Sequence, residues 1–337
     1  MSDPATLRPA SPADKHPQGT YDQGFFAELS DLGLIAFGGV DAAKFLHNQL
    51  TNDVLHLGSG EVRLAGYCTP KGRLLATMVL WHAGERIVAE LAGELQATIQ
   101  KRLQMFIMRD KVVVCDISAD FTLIGLGGSG AATALAHWFP ALPETTYTKC
   151  ESAAGTLLRL ADAWSQPRYQ WIMPAAMAPQ FRDELAAIMQ QADIAYWRAS
   201  EIAAAIPHIT LATQEKFVPQ MVNLEAVGGV SFKKGCYPGQ EIVARSQYLG
   251  KLKRRMLPAT VTASEVAPGM EVFSADDLEQ PCGMVVNAAR NPHDDSGLTH
   301  CLVEVKTAVV ESTTVHLGPN GPLLNFSALP YALPDTV

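Results

Sequence analysis

One order of predicted elements occurs twice in this chain, and it limits the possible folds more than any other feature. Each stretch reads as a strand, a helix, two or three strands, a helix and a strand; the first covers 34–115 and the second 121–197. Tandem units of this kind are typical of a duplicated ferredoxin-like α+β body rather than of a doubly wound parallel sheet. At 337 residues the chain also exceeds what one hydrophobic core usually supports.

Hydrophobic periodicity places the elements. The predicted strands are Leu34–Phe37, Val62–Tyr67, Leu74–Trp81, Ile87–Leu91, Val112–Cys115, Phe121–Leu126, Thr156–Ala161, Tyr169–Met173 and Ile194–Trp197. The continuous apolar run Val112–Cys115 indicates a buried strand, and Ile194–Trp197 is expected to close the second unit. Helices are predicted after Asp41, from about Leu95, over Ala131–Phe139 and from Pro179.

After residue 256 the sequence changes to short segments in which apolar and polar residues alternate, as they do in strands. The predicted strands are Met270–Phe273, Gly283–Asn287, Cys301–Lys306 and Thr314–Leu317, separated by Pro268-Gly269, Asn291-Pro292 and the turn at 318–321. Short strands with turn residues at this spacing predict a small antiparallel β-barrel.

Composition excludes several classes of protein. Lys+Arg 26 against Asp+Glu 34 gives a net charge of −8, which does not suit a general nucleic-acid coat. No apolar run is long enough to cross a bilayer, and the proline-rich stretch 1–20 lacks the apolar core of an export signal. The six cysteines are far apart, which favours reduced thiols in the cytoplasm over disulfides or a structural zinc site. We expect no zinc, haem or nicotinamide.

Two local patterns suggest anion binding. Residues 125–130 match G-x-G-x-x-G between a strand and a helix, but no acidic residue follows at the spacing that a dinucleotide site needs, so a glycine-rich turn is favoured. Residues 233–255 carry seven basic groups against Glu241 alone, a local charge of +6. This basic segment is either a site for an anionic ligand or a solvated face.

The segment 231–245 is chemically distinctive. Gly235, Pro238 and Gly239 predict a rigid loop. Lysines at 233 and 234 favour the thiolate of Cys236 if that thiol is exposed, whereas a lone cysteine is otherwise most often a small buried hydrophobe. Glu241 and Arg245, four residues apart, could pair on one helical face.

Lys-Gly-Cys-Tyr-Pro-Gly-Gln-Glu (234–241) resembles the signature of the YgfZ-type folate-binding proteins, relatives of the glycine-cleavage aminomethyltransferase. The blocks 217–232, 39–46, 49–54 and 68–73 and the pair Arg254-Arg255 resemble further parts of that family. The resemblance implies two ferredoxin-like units and a terminal barrel around a central folate channel. The implied divisions are an arm (1–20), two units (21–118 and 119–200) that can interleave, the signature segment (201–255) and the barrel (256–337).

The same resemblance implies a tetrahydrofolate-binding accessory protein that supports iron–sulfur enzymes, including those that modify tRNA. It implies Lys234 and Cys236 as the functional pair. Trp197 matches a folate-binding tryptophan of the family, although a core aromatic is the commoner fate of such a residue. The polar or aromatic candidates for further folate contacts are Asn223, Tyr237, Gln240, Glu241 and Arg245.

Two departures from the family keep other functions open. The strand at 72–79 carries no carboxylate, although the aminomethyltransferase has an aspartate there, and an acidic residue that faces the pterin is missing near Ala203, with Glu201 as a distant substitute. One alternative is therefore a folate-dependent aminomethyl-transferring or demethylating enzyme that uses another carboxylate. The other is a tRNA-binding module that uses the basic segment, which the acidic remainder of the chain disfavours.

Overall fold

The computed structural model describes residues 24–248, 252–290 and 297–334. Its strands are β1 (Phe25–Glu28), β2 (Leu32–Gly38), β3 (Val62–Cys68), β4 (Leu74–Ala83), β5 (Arg86–Ala92), β6 (Val113–Asp116), β7 (Phe121–Gly127), β8 (Thr148–Ser152), β9 (Gly155–Ala163), β10 (Gln166–Pro174), β11 (Gln190–Gln191), β12 (Arg254–Thr262), β13 (Glu271–Ser274), β14 (Asp277–Arg290), β15 (Leu298–Lys306), β16 (Val315–Leu317) and β17 (Asn325–Phe326). Its α-helices are α1 (Ala42–Gln49), α2 (Gly93–Met105), α3 (Ala131–Leu135), α4 (Ala178–Ala186), α5 (Ile194–Ala203), α6 (Gln240–Tyr248) and α7 (Thr307–Ser312). The predicted α+β class is confirmed.

The first sheet is antiparallel, with the strand order β3-β4-β5-β2-β6. Its strand β2 is buried on both faces: Leu34 and Ala36 contribute to one hydrophobic core, and Ile35 and Phe37 contribute to another. Because both faces of the strand are covered, it reads as a continuous apolar run rather than as an alternating one.

The second sheet has the order β11-β1-β7-β10-β9-β8. Strand β1, which the sequence did not predict, pairs antiparallel with β7, so that Phe25 lies opposite Gly127. The first strand of the described chain therefore belongs to the second sheet. Leu123 and Leu158 of this sheet share a hydrophobic core with Leu34 and Val88 of the first sheet, so the two sheets pack face to face.

The prediction of a strand at Ile194–Trp197 is wrong, because these residues form the first turn of α5. The Asp193 side chain accepts a hydrogen bond from the Ala195 N–H at 2.7 Å, which caps the helix. The buried face continues through Tyr196, Ser200 and other α5 positions at helical spacing, which a four-residue window cannot reveal.

Two other predictions are wrong in part, one about burial and one about the length of a helix. Strand β6 lies at the open edge of the first sheet, so that Val113 is 63% exposed although the run Val112–Cys115 predicted a buried strand. Helix α3 ends at Leu135 rather than at the buried Phe139. An apolar run indicates burial only where a second layer is available to cover it.

The third sheet is antiparallel, with the order β16-β13-β14-β15-β12-β17, and it forms the predicted C-terminal barrel as a half-barrel. The sequence did not predict β12, whose run is interrupted by Pro258. Helix α5 packs on β14 and β15 of the third sheet and on β1 and β9 of the second, and it thus joins these two sheets.

Some predictions lie outside the described residues, namely the arm at 1–20, the turn Asn291-Pro292 and Lys251 of the basic segment. Within the described part of the chain, no helix combines the length and apolar character needed to span a membrane.

Candidate functional site: a signature loop and a central cavity

The motif Lys-Gly-Cys-Tyr-Pro-Gly-Gln-Glu (234–241), called the signature loop from here on, packs against the turn at 69–72. Gly239 has a φ of +83°, and a Cβ on it would lie 2.5 Å from the Thr69 carbonyl oxygen. Gly72 has a φ of +70°, and its Cβ position is 3.0 Å from the Ile242 side chain. Both positions therefore require glycine, because a side chain would be strained and would also meet its neighbours. Two sequence blocks that resemble the same family thus lie in direct contact.

The side chain of Lys234, which begins this loop, is buried beneath the rest of it. Its ammonium group donates hydrogen bonds to the carbonyl oxygens of His47 and Leu50, at the C-terminal end of α1, and lies 4.7 Å from the Tyr237 ring centroid. Burial lowers the pKa of Lys234 to about 8, while the charges of Asp53 and Cys236 act in the opposite direction. The ammonium group is therefore mostly charged at neutral pH, and it ties the loop to α1.

Cys236 is exposed at the tip of the loop, unlike the buried cysteines at 68, 282 and 301. The neighbouring Tyr237 is buried, and its burial raises its pKa. The expected rigid loop thus presents the thiol to solvent. None of the residues of this loop lines the two hollows described below.

The other predicted folate contacts occupy varied positions. Asn223 is buried, and its amide donates to the Met256 carbonyl oxygen at 2.7 Å, so it serves the packing of β12. Gln240 begins α6, on which Glu241 and Arg245 are exposed. These two side chains form no ion pair with each other in the described structure.

Much of the basic segment is engaged within the protein. Arg255 is buried and pairs with Glu225, and Arg254 donates to Glu304 at 2.6 Å. Lys234 is buried as described above. The exposed cations of the described part of this segment are therefore fewer than the sequence suggests, which weakens the case for docking a polyanion or tRNA there.

Two adjoining hollows lie beside α5. The inner one lies between the first and second sheets, and the outer one lies between the end of β5 and β14 of the third sheet. The outer one has a volume of about 500 Å³ and the inner one about 40 Å³, and they share Glu201, Ile206 and His208 as walls. We call them together the central cavity. The volume of the outer hollow is that of a pocket for a small organic ligand, whereas the inner hollow is of the size that holds water or the edge of a ligand.

The inner hollow contains a buried carboxyl–amide pair. Glu90 of β5 is 5% exposed, and Gln170 of β10 donates a hydrogen bond to it. Burial raises the pKa of Glu90 to about 8, although the Gln170 hydrogen bond opposes this shift. Glu90 is therefore a neutral acid at pH 7, with one O–H to donate and oxygens to accept.

The outer hollow is bordered by an ionised network. The Arg198 guanidinium binds Asp31, with one contact at 3.0 Å, and also pairs with Glu201. Burial opposes ionisation of Glu201, but Arg198 outweighs it, so the pKa of Glu201 is lowered. Burial also lowers the pKa of His208, which leaves this side chain neutral.

Trp197 lies directly behind the wall of the inner hollow. It is fully buried, its indole N–H has no hydrogen-bond partner among the described residues, and the Arg168 guanidinium lies 4.6 Å from its ring centroid. Arg168 itself lines the hollow. Trp197 therefore supports the cavity through Arg168 rather than forming its surface.

The sequence analysis missed Glu90, Gln170 and Arg168. The available signal was a charged or amide side chain inside an otherwise apolar strand, as Glu90 is in Ile-Val-Ala-Glu-Leu-Ala (87–92). Such residues are rarely buried unless they are paired or functional. The described residues contain no group of three or more His, Cys, Asp or Glu side chains placed to hold a metal ion.

Comparison with known proteins first defines the class of fold. No protein-family model matches the chain. The chain is similar over 94% of its length to glycine cleavage system aminomethyltransferase T from Bartonella henselae, with a TM-score of 0.72, 17% identity and 91% of that chain covered. The architecture is therefore that of the aminomethyltransferase fold.

Curated relatives then define the family. The tRNA-modifying protein YgfZ of Yersinia pseudotuberculosis serotype IB (strain PB1/+) is 33% identical over 255 residues, which are 76% of this chain and 75% of that protein. The protein of the same name from Photorhabdus laumondii is 33% identical over 259 residues, with the same coverage. The chain belongs to the YgfZ family, and the resemblance found in the sequence is confirmed.

Proposed function

We propose that this protein is a cytoplasmic, tetrahydrofolate-binding accessory factor that supports the assembly or repair of iron–sulfur enzymes, including tRNA-modifying ones. The observation that carries the folate part is the buried Glu90–Gln170 pair inside the central cavity of an aminomethyltransferase-like fold. Membership of a family named for tRNA modification supports the rest.

The outer hollow is large enough for a pterin, and the inner hollow beside it offers apolar and polar groups to the rim of that ring system. A pterin is a flat ring system with hydrogen-bond donors and acceptors along its rim, so it needs apolar walls and a few fixed polar groups. Leu64, Val79 and Leu160 provide apolar surface, and the neutral carboxyl of Glu90 with Gln170 provides both donors and acceptors. These residues would contact the rim of the ring system while its body lies in the outer hollow, and the bound folate would supply one-carbon chemistry.

The Cys236 thiol lies outside the central cavity. Cys236 is exposed and does not line the central cavity, so we propose that it acts on a client protein at the surface of the signature loop. A single cysteine cannot fill a cluster site that needs several ligands. Cys236 is thus a reactive thiol rather than a permanent cluster ligand, and Lys234 fixes the loop that presents it.

Calorimetric titration with tetrahydrofolate tests the cavity. The neutral-acid interpretation predicts that Glu90→Gln binds like the wild type, because an amide also donates and accepts, whereas Glu90→Leu loses about tenfold in affinity, the factor for one lost hydrogen bond. Glu85→Gln, at an exposed position, is the matched control. Absence of binding to the wild type would remove the folate part of the proposal.

A cellular assay tests the role in iron–sulfur enzymes. In a bacterium that lacks its own YgfZ-type protein, the wild-type chain is expected to restore [4Fe–4S] enzyme activity and the level of thiolated tRNA nucleosides. Cys236→Ser is expected to fail, while Cys115→Ser, which removes another exposed thiol, is expected to succeed. Full restoration by Cys236→Ser would refute the thiol role.

One observation favours a second candidate, a folate-dependent aminomethyl-transferring or demethylating enzyme. Glu90 lies directly opposite Val79 in the β4–β5 pairing, so the neighbouring strand supplies a carboxyl beside the stretch 72–79, which has none. Turnover of glycine-derived or N-methyl substrates with tetrahydrofolate, lost in Glu90→Gln, would establish this activity. Unchanged folate binding without turnover favours the accessory role.

A further inference from the structure

A buried histidine that the proposed function does not use lies next to the signature loop. His47 on α1 is 7% exposed, and its Nδ1 lies 3.1 Å from a carboxylate oxygen of Asp53. The other oxygen of Asp53 lies 2.8 Å from Nδ1 of His56, which is exposed. The main chain of His47 also accepts a hydrogen bond from Lys234, so this cluster and the loop form one unit.

The hydrogen bonds assign the proton of the His47 ring. The Leu55 N–H lies 3.5 Å from Nδ1, whereas the charged Asp53 oxygen is closer and is the stronger partner. Nδ1 therefore carries the hydrogen, and Nε2 carries the free lone pair. Among the described residues, Nε2 has no hydrogen-bond partner.

Nε2 faces the residue that precedes Cys236. A Cβ on Gly235 would lie 3.7 Å from this nitrogen, and apart from the chain neighbours of Gly235 no other described atom lies within 4 Å of that position. Gly235 does not have a positive φ, so the backbone does not require glycine there. The missing side chain instead leaves the space in front of Nε2 open beside the residue that precedes Cys236.

We propose that His47 is the base that accepts the thiol proton of Cys236 when the thiolate attacks an electrophile, and that Asp53 is the residue that positions His47. The Cys236 S–H bond breaks, its electron pair stays on sulfur, and the proton passes to Nε2. The resulting imidazolium is stabilised by the Asp53 carboxylate. The assignment rests on the proposed role of Cys236 as a reactive thiol.

The charges around the cluster suit this role. Burial and the charge of Lys234 lower the pKa of His47, with Asp53 opposing them, so the imidazole is neutral and basic at pH 7. Burial would raise the pKa of Asp53, but hydrogen bonds from His56 outweigh it and keep Asp53 ionised. The positive charge of Lys234 lies close enough to Cys236 for the two groups to interact electrostatically. Arg63 is another charged neighbour, and it donates a hydrogen bond to the Asp53 carbonyl oxygen.

Alkylation by iodoacetamide, followed at each cysteine by mass spectrometry, tests the proposal without folate or client. The sulfur attacks, iodide leaves, and the exposed Cys115 reports ordinary thiol reactivity in the same sample. At pH 7 Cys236 is expected to react about tenfold faster than Cys115, the size of a modest general-base effect. The fast rate is expected to persist at pH values where an ordinary histidine is already protonated, because burial and Lys234 lower the pKa of His47, and to fall at lower pH.

Three variants distinguish proton transfer to His47 from the electrostatic effect of Lys234. His47→Gln is expected to bring Cys236 to the rate of Cys115, Asp53→Asn is expected to slow it less, and His137→Gln, at an exposed histidine, is expected to change nothing. A folded His47→Gln protein that keeps the fast rate would overturn the proposal, because Lys234 alone would then explain it.

Two measurements remain decisive if His47→Gln does not fold. Gly235→Ala, which places a methyl group 3.7 Å from Nε2, is expected to slow Cys236 and leave Cys115 unchanged. Equal rates of the two cysteines at every pH in the wild type would refute the assignment. Because these rates need no cellular activity, they can fail or succeed independently of the iron–sulfur assay.

Discussion

Replacing Glu90 by Gln should stabilise the protein at neutral pH but hardly at pH 5. Burial raises the pKa of Glu90 to about 8, from an ordinary value of 4.5. Between these two values the folded protein keeps the proton while the unfolded chain releases it. The free energy of unfolding therefore falls as the pH rises through this window. Gln cannot ionise, so the free energy of unfolding of Glu90→Gln does not fall in this way.

The size of the effect follows from one proton per molecule. A full proton corresponds to about 1.4 kcal/mol per pH unit. Because the unfolded carboxyl is only partly protonated at pH 5, the loss between pH 5 and pH 7 amounts to about 2.5 kcal/mol. That is a large part of the stability of a typical domain.

Urea unfolding at several pH values measures this directly. The quantity to compare is the free-energy difference between Glu90→Gln and the wild type, because the titration of Glu304, whose pKa burial raises to about 7, then cancels. Glu85→Gln is the control for removing an exposed carboxylate. A difference that stays constant from pH 5 to pH 7 would refute the assignment of Glu90 as a buried neutral acid.

Three further substitutions test the packing that holds both sites. Gly239→Ala should displace the signature loop and lower the melting temperature, since its φ of +83° and the nearby Thr69 carbonyl oxygen oppose a side chain. Arg255→Met should cost about 3–5 kcal/mol in urea unfolding, because it leaves Glu225 buried without its partner. Gly125→Ala should cost about 1–3 kcal/mol and alter the intrinsic fluorescence, because its methyl group would lie 2.4 Å from the Trp197 ring; an unchanged spectrum and melting curve would contradict this.

The central cavity changes how the resemblance applies to this chain. The expected folate-binding tryptophan is present, but it lies behind Arg168, and the carboxyl–amide pair in the inner hollow is formed by Glu90 and Gln170. The signature loop lies elsewhere and presents an exposed thiol. The resemblance therefore identified the family, whereas the spatial relation of its segments had to come from the fold.

The sequence alone determined most features that depend on a few neighbouring residues. Alternating or continuous apolar runs identified most strands of the three sheets, and Gly239 marked a loop in which the structure requires glycine. The family was also accessible, because the block 234–241 is compact and specific. These features depend on residues that are close together in the sequence, so a short window of the chain contains the information needed to predict them.

Tertiary structure alone decided which distant residues meet. Glu90 and Gln170 are 80 positions apart, and Lys234 binds carbonyl groups 184 and 187 positions earlier. Val113 is exposed because β6 ends its sheet, and Ile194–Trp197 is helical because the buried face continues into the following turns. Burial and pairing of this kind depend on which strands become neighbours, and that information is spread over the whole chain.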